Sequence, residues 1–116
     1  MVAKILRGDI FLVNFEPVKG VEQGKIRPAL IIQNNISNKF SPLTIVAPIT
    51  SKVYEKEYPT NVILSKSDSN LEKDSVVLLN QIRTIDKRRI IKKLSHLDNL
   101  IMNKVDLAIK ISLGLE

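Results

Sequence analysis

The chain has 116 residues, and 18 lysines and arginines against 12 aspartates and glutamates give a formal net charge of +6 at pH 7. This length supports one hydrophobic core, so we expect a single domain over residues 1–116. The absence of cysteine excludes disulfides, thiolate ligands and thiol nucleophiles, and a single histidine excludes a His–His pair within one chain. No apolar run approaches the roughly 18 residues of a membrane span, and no signal-peptide core is present, so we expect a cytoplasmic protein with no membrane partner.

The first half of the chain predicts three strands and a short helix. Asp9–Phe15 is apolar on both faces, which indicates a strand that is covered on both sides. A long loop containing glycine and proline leads to a second buried strand, Pro28–Gln33. Leu43–Ile49 alternates between two faces and predicts a third strand. Between the second and third strands, Ile36 and Phe40 lie one helical turn apart and indicate a short helix.

Strands also dominate the second half of the prediction. Pro48 cannot donate a backbone hydrogen bond, so its strand should lie at an edge or contain a bulge. Thr50 then lies just past the end of that strand, where a side chain can face an open site. Thr60–Leu64 predicts a short strand, Ser75–Ile82 the longest strand, and Arg89–Leu94 another short one.

The chain ends in a predicted helix. Ser95 is the expected N-cap, with Asp98 three residues further on, and Gly114 supplies the stop. Apolar residues follow the cap at helical spacing: Leu97, Ile101, Val105, Ala108 and Ile109. The predicted fold is therefore mainly β with a C-terminal helix, as a small barrel or a strongly bent sheet.

Positive charge concentrates in one stretch near the C-terminus. Its six cations are Arg83, Lys87, Arg88, Arg89, Lys92 and Lys93. One interpretation is a track for a phosphate backbone or an acidic peptide, and the other is an ordinary solvated strand. Acidic residues are scattered and His96 falls in the predicted helix, as a solvated or hydrogen-bonded residue, so we expect no metal site.

Three segments together resemble the MazF/PemK (Kid-like) family of toxin endoribonucleases from type II toxin–antitoxin systems. They are Arg7–Asn34 (RGDIFLVNFEPVKGVEQGKIRPALIIQN), Ser41–Ser51 (SPLTIVAPITS) and Asp74–Ile90 (DSVVLLNQIRTIDKRRI). The most specific motif is E-Q-G-x-x-R-P followed by an apolar strand. The resemblance implies an SH3-like barrel of the plasmid-maintenance-toxin (CcdB/Kid/MazF) type and a homodimer. It also implies a cognate acidic, MazE-like antitoxin whose tail competes with RNA.

The resemblance implies that Arg27 and Thr50 are the catalytic residues of a metal-independent endoribonuclease that needs no cofactor. Cleavage of single-stranded RNA would use the 2′-hydroxyl of the substrate and leave a 2′,3′-cyclic phosphate and a 5′-hydroxyl. The protein then has to stabilise charge on the phosphorane, which an arginine and a hydroxyl can do. The structural alternative is a surface Arg27 paired with Glu22 and a Thr50 that merely caps a strand.

The same resemblance suggests which residues contact RNA. Glu22, Gln23 and Gly24 resemble the family loop that closes over RNA, although a plain flexible hairpin is the alternative. Asn80 and Gln81 are candidate base readers, or else cross-strand hydrogen-bonding residues. The full expected RNA-binding set is Glu22, Gln23, Gly24, Lys25, Ser51, Lys52, Asn80, Gln81, Arg83 and Lys87.

Two departures from the family pattern fall in this set of segments. Val21 stands where many members have serine, and Asn80 stands where many have an acidic residue. Neither departure changes a residue of the expected catalytic pair, Arg27 and Thr50. Two other functions remain open on the sequence alone. One is a non-catalytic barrel that binds nucleic acid or a protein target such as gyrase, and the other is a degenerate toxin that only binds an antitoxin.

Overall fold

The computed structural model describes residues 4–16, 25–52 and 58–115. Within these ranges the strands and helices follow in the order β1 (Asp9–Asn14), β2 (Ile26–Ile31), α1 (Asn35–Phe40), β3 (Leu43–Thr50), β4 (Asn61–Leu64), α2 (Lys66–Ser69), β5 (Ser75–Leu78), β6 (Arg83–Asp86), a 3₁₀ helix (Lys87–Arg89), β7 (Ile90–His96) and α3 (Asn99–Leu113). No helix in the described ranges is long and apolar enough to cross a membrane.

The strands form one antiparallel sheet in the order β4-β5-β3-β2-β1-β7, and β6 pairs with the first half of β3. β3 therefore changes partners along one edge: Leu43–Val46 pair with β6, and Ile49 and Thr50 pair with β5. Pro48 lies at this change of partner, and on its other side it is in register with Ala29. Of the two predicted settings, an edge or a bulge, the edge is wrong, since β3 has neighbours on both sides; the missing N–H of proline falls where β3 exchanges one neighbour for the other.

Two hydrophobic cores lie on opposite faces of the bent sheet. Successive residues of β1 alternate between them, since Ile10 belongs to one core and Phe11 and Val13 to the other. The helix-side core, beneath α3, contains Ile10, Leu30, Ile32, Ala47, Ile49, Val62, Leu64, Val77, Leu79, Leu97, Ile101, Met102, Val105 and Ala108. The barrel core contains Ile5, Phe11, Val13, Phe15, Ala29, Ile31, Val46, Ile85 and Ile90. The predicted covering of β1 on both faces is confirmed.

The predicted strand Ser75–Ile82 is too long, because β5 ends at Leu78. From Thr50↔Val76 to Val46↔Arg83, the chain advances four residues on β3 but seven on the opposite side. The additional residues must leave the sheet, and they do so in a turn in which the N–H of Gln81 donates to the carbonyl of Leu78 at 3.1 Å. Within the described ranges the longest strand is instead β3, with eight residues.

The helices differ from the prediction mainly at their starts. α3 begins after Asp98, whose carboxylate accepts the N–H of Ile101 at 2.9 Å, whereas the predicted cap, Ser95, lies in β7. Gly114 ends α3 with φ of 70°, as predicted. α1 is also present, but its exposed side chains include Ile36 and its buried residue is Asn38.

Candidate active site

Arg27 and Thr50 lie at the same end of two neighbouring strands, near the start of β2 and at the end of β3. The two strands are antiparallel, with Ala29 opposite Pro48. Continuing this register by two residues on each strand sets Arg27 opposite Thr50. Because side chains alternate along a strand, Arg27 shares a face with Ala29, and Thr50 shares one with Val46. Both Ala29 and Val46 belong to the barrel core, so the two candidate catalytic residues lie on one face.

The two strands separate just where this pair lies. The described pairing of β2 with β3 ends at Ala29 and Pro48. Beyond this point Arg27 stays paired with Val13 of β1, and Thr50 pairs with Val76 of β5. Arg27 and Thr50 are both partly exposed. The sheet therefore opens between two side chains that can bind a phosphate.

The chemistry of the pair suits an anionic substrate. Arg27 carries a positive charge on a planar fork of N–H donors. Thr50 Oγ1 accepts the backbone N–H of Lys52 at 3.2 Å, which fixes the oxygen while its own O–H remains able to donate. Ser51 and Lys52 follow directly and are exposed. This end of the sheet thus combines fixed hydrogen-bond donors with positive charge.

A second arginine reaches the same end of the barrel. The guanidinium carbon of Arg83 lies 5.2 Å from the ring centroid of Phe15, which is completely buried. The N–H of Phe15 donates to the carbonyl of Lys25 at 2.8 Å, so the ring lies beside the strand that carries Arg27. Arg83 begins β6 and is in register with Val46 of β3. The sequence predicts Phe15 at the end of a strand covered on both sides, but it contains no local signal for the contact with Arg83.

The remaining members of the expected RNA-binding set are distributed unevenly. Glu22, Gln23 and Gly24 lie outside the described residues, so their placement stays a prediction. Lys25 is exposed at the site. Asn80 is exposed and Gln81 partly exposed, but both lie in the turn after β5 rather than in a strand. Lys87 lies apart from the site, because its Nζ donates to the carbonyl of Asn38 in α1, which joins the other ends of β2 and β3.

The basic stretch does not form one continuous track. Its residues divide among three elements: β6, which pairs with β3, the 3₁₀ helix Lys87–Arg89, and β7, which pairs with β1. Arg88 is paired with Asp86 at 3.0 Å, and this hydrogen bond lowers the pKa of Asp86 and raises that of Arg88. Arg89 donates to the carbonyls of Asn14 and Glu16, and Lys93 lies 3.3 Å from a carboxylate of β1. Local ion pairs and carbonyl contacts therefore engage several of these cations.

His96 ends β7 and does not open the terminal helix as predicted. Its Nδ1 lies 2.6 Å from Oδ1 of Asp9, a carboxylate that is only 1% exposed. Asp9 Oδ2 also accepts the N–H of Leu6 at 2.9 Å. The histidine is thus hydrogen-bonded, as expected, although its element was wrong. Across the described ranges, no three His, Cys, Asp or Glu residues form a group that could hold a metal ion.

Comparison with solved structures identifies the class of protein. The crystal structure of MazF (Form-I) from Deinococcus radiodurans matches with a TM-score of 0.83 and 30% identity, covering 98% of this chain and 100% of that one. A MazE–MazF crystal structure (Form-II) from the same organism matches with a TM-score of 0.75 and 29% identity, covering 97% of each chain. The fold is that of a MazF toxin, which confirms the predicted barrel with its C-terminal helix.

The family follows from the sequence comparison. Residues 6–113 match the PemK-like, MazF-like toxin of type II toxin–antitoxin systems, and the chain belongs to this family. Endoribonuclease EndoA of Bacillus subtilis (strain 168) is 50% identical over 111 residues, which are 96% of each protein. The resemblance seen in the sequence motifs is therefore confirmed across nearly the whole chain.

Proposed function

We propose that this toxin is a metal-independent endoribonuclease that cleaves single-stranded RNA, principally mRNA, at specific sequences. The observation that carries the proposal is the position of Arg27 and Thr50 on one face, at the point where β2 and β3 separate. The family match and the similarity to an endoribonuclease support it. Cleavage of mRNA inhibits translation and growth, and it places the activity in the bacterial cytoplasm.

The reaction needs little chemistry from the protein because RNA carries its own nucleophile. The 2′-oxygen loses its proton and attacks the adjacent phosphorus, the bond to the 5′-oxygen breaks, and that oxygen gains a proton. The products are a 2′,3′-cyclic phosphate and a 5′-hydroxyl. Arg27 binds non-bridging oxygens and Thr50 donates to the same phosphate, so both stabilise the charge that develops on the phosphorane.

The RNA strand extends beyond the reacting phosphate along this end of the sheet. Lys25 and Lys52 contribute positive charge on either side of the catalytic pair, and Ser51 contributes a hydroxyl. The amides of Asn80 and Gln81 read base edges, and Glu22, Gln23 and Gly24 complete the proposed RNA-binding set. Support comes from the exposure of the described members of this set and from the preference of amide side chains for splayed bases.

The proposed protein partners are a second copy of the toxin and an acidic, MazE-like antitoxin. Complexes named MazE–MazF support the antitoxin. Large apolar side chains exposed on the surface support the dimer, since Leu100 and Leu107 of α3 are 76% and 60% exposed. The antitoxin tail competes with RNA because both are polyanions that seek the same basic surface.

The test is incubation of a long RNA with the pure protein in EDTA. We expect discrete fragments whose 5′ ends accept a phosphate from polynucleotide kinase without prior phosphatase treatment. Arg27→Ala and Thr50→Ala should each slow cleavage by about 100-fold or more, because each removes a donor to the developing charge. Unfolding curves and sedimentation should show that both variants retain fold and oligomeric state.

Two results would contradict the proposal. RNA that stays intact, or is cut only after Mg²⁺ is added, excludes a metal-independent nuclease. Variants of Arg27 and Thr50 that cut as fast as the parent protein move the active site elsewhere. Expression without antitoxin adds a cellular readout, since the active toxin should arrest growth. In vitro, a non-catalytic module that only binds RNA should not cleave it.

A further inference from the structure

Ile63 lies in the same row of side chains as Thr50, two strands away. Val76 of β5 is in register with Thr50 of β3 on one side and with Ile63 of β4 on the other. Residues that lie directly opposite each other in antiparallel strands place their side chains on the same face of the sheet. Two gaps between neighbouring strands separate Thr50 from Ile63, a backbone distance of about 10 Å. The sugar and base of a nucleotide whose phosphate lies at Thr50 can span this distance.

The face that carries this row is the one that points away from α3. Val62 and Leu64, the neighbours of Ile63 in β4, are both buried in the helix-side core, so Ile63 points to the opposite face. Ile63 is 59% exposed, whereas Val76 between it and Thr50 is 5% exposed. Ile63 thus presents an apolar surface to solvent on the face where Thr50 lies.

The strands on the two sides of Thr50 differ in charge. β2 carries Arg27 and is preceded by Lys25, whereas neither β4 nor β5 contains a charged residue. In β4 and β5, which are described in full, Ile63 is the one exposed residue. A nucleotide has the same division of character, since its phosphate is anionic and the faces of its base are apolar enough to stack. The cationic side therefore suits the phosphates, and the apolar side suits a base.

We propose that Ile63 packs against the face of one base that flanks the scissile phosphate, and so forms a base-binding subsite beside Thr50. The inference rests on the proposed function, because it assumes that the scissile phosphate lies between Arg27 and Thr50. The contact is made through apolar surface and engages no phosphate. Its contribution to RNA binding is therefore independent of salt, unlike the contributions of Arg27 and Lys25.

The binding test uses the Thr50→Ala protein, so that RNA is bound without being cut. The probe is a short, fluorescently labelled single-stranded RNA, titrated at several salt concentrations. Adding Ile63→Thr keeps a β-branched side chain in the strand but removes most of the apolar contact, so binding should weaken about fivefold. The slope of log K against log salt should stay unchanged, since no phosphate contact is lost. Ile63→Val, which removes a single methylene, should retain affinity within about twofold.

The matched control is Leu43→Thr, which removes a similar apolar surface from an exposed position of a strand. Leu43 is 43% exposed and starts β3, whereas Thr50 ends it, so the two are roughly 20 Å apart. Leu43→Thr should change RNA binding by less than about twofold. Equal losses from Leu43→Thr and Ile63→Thr would show a general effect of surface hydrophobicity and overturn the proposal.

Urea unfolding and sedimentation of the Ile63 variants complete the protein side of the test. The unfolding curves should match that of the parent protein, because the side chain of Ile63 is mostly exposed. The oligomeric state should also be unchanged. A shift to a smaller species on Ile63→Thr would overturn the proposal, because the side chain would then contact a second copy of the chain rather than RNA.

Abasic substitution of the RNA identifies the base that Ile63 contacts. Each base of the probe is replaced in turn by an abasic residue, and each RNA is titrated against the proteins with and without Ile63→Thr. At one position beside the cleaved bond the effect of Ile63→Thr should vanish, because its partner is absent, whereas the loss should persist at distant positions. A loss that persists at every position, or a changed salt slope, would overturn the proposal. If the parent protein cuts no RNA, the proposed function fails, while the abasic series still shows whether Ile63 contacts a base.

Discussion

Lys25 combines a strained backbone conformation with a positive charge at the edge of the candidate active site. It has φ of 62° immediately before β2, a left-handed conformation that costs a side chain with a Cβ about 1 kcal/mol or more. Its carbonyl accepts the N–H of Phe15 at 2.8 Å, so this turn is fixed to β1. Glycine would adopt the conformation without strain, but a lysine places a positive charge two residues before Arg27.

Two substitutions of Lys25 separate strain from charge. Lys25→Gly and Lys25→Ala both remove the charge, so both should weaken RNA binding in the Thr50→Ala background by a similar factor of about 3 to 10. Lys25→Gly should nevertheless be about 1 kcal/mol more stable than Lys25→Ala, because only alanine retains the left-handed strain. Urea unfolding measures the difference. Equal stabilities would show that the backbone at Lys25 relaxes without cost.

The start of α3 supplies a prediction at the level of a secondary-structure element. The carboxylate of Asp98 accepts the N–H of Ile101, and its negative charge also opposes the positive end of the helix dipole. Asp98→Ala should therefore lower the free energy of unfolding by about 1 kcal/mol, measured by urea denaturation. Asp98→Asn should retain most of the stability, because the amide oxygen can still cap.

The control for this prediction is Ser95→Ala. Ser95 would be the cap if the helix began where the sequence motif suggests, but it lies in β7 opposite Ile10. Its substitution should change the free energy of unfolding by less than about 0.5 kcal/mol. A larger effect from Ser95 than from Asp98 would place the helix start at the earlier residue.

Local patterns were sufficient for elements with a strong hydrophobic signal. β1 and β3 could be predicted because both of their faces are apolar and both faces are buried. The end of β5 could not, since the apolar run extends one residue past it to Leu79, Ile82 follows after Asn80 and Gln81, and no glycine or proline marks the turn. That turn is dictated by the offset between two registers on β3, which is a property of the assembled sheet.

The residues of the candidate site could be predicted from the sequence, but their arrangement in space could not. The residue types of Arg27 and Thr50, together with the motifs around them, were enough to select them. Their placement on one face depends on the register of β2 against β3, and the contact of Arg83 with Phe15 depends on barrel closure. Neither follows from spacing in the sequence, because both join residues that only the folded chain brings together.

At the scale of the whole molecule, the cations behind the net charge of +6 are divided among separate local contacts rather than joined in one basic surface. Arg7, Arg88 and Lys93 pair with carboxylates, whereas Lys25, Lys52, Arg27 and Arg83 lie at or beside one end of β2 and β3. Polyanion binding should therefore depend on a few cations at one site rather than on the total charge.

This distribution predicts a specific salt dependence for RNA binding. About four phosphate contacts on a single strand give a slope near −2.8 in log K against log salt, or about 50-fold weaker binding between 50 and 200 mM. Anisotropy with the Thr50→Ala protein measures the slope. Arg88→Gln should leave it unchanged, whereas a slope several times steeper would indicate that the whole basic stretch contacts RNA.

The antitoxin should respond to salt and RNA in a related way. If its acidic tail occupies the same cations, the apparent dissociation constant for RNA should rise in proportion to antitoxin concentration, and the antitoxin complex should also weaken with salt. Apolar contacts do not depend on ion release, so a shallower slope for the antitoxin than for RNA would measure their share of its binding. RNA affinity that stays constant while antitoxin saturates the toxin would mean that the two bind separate surfaces.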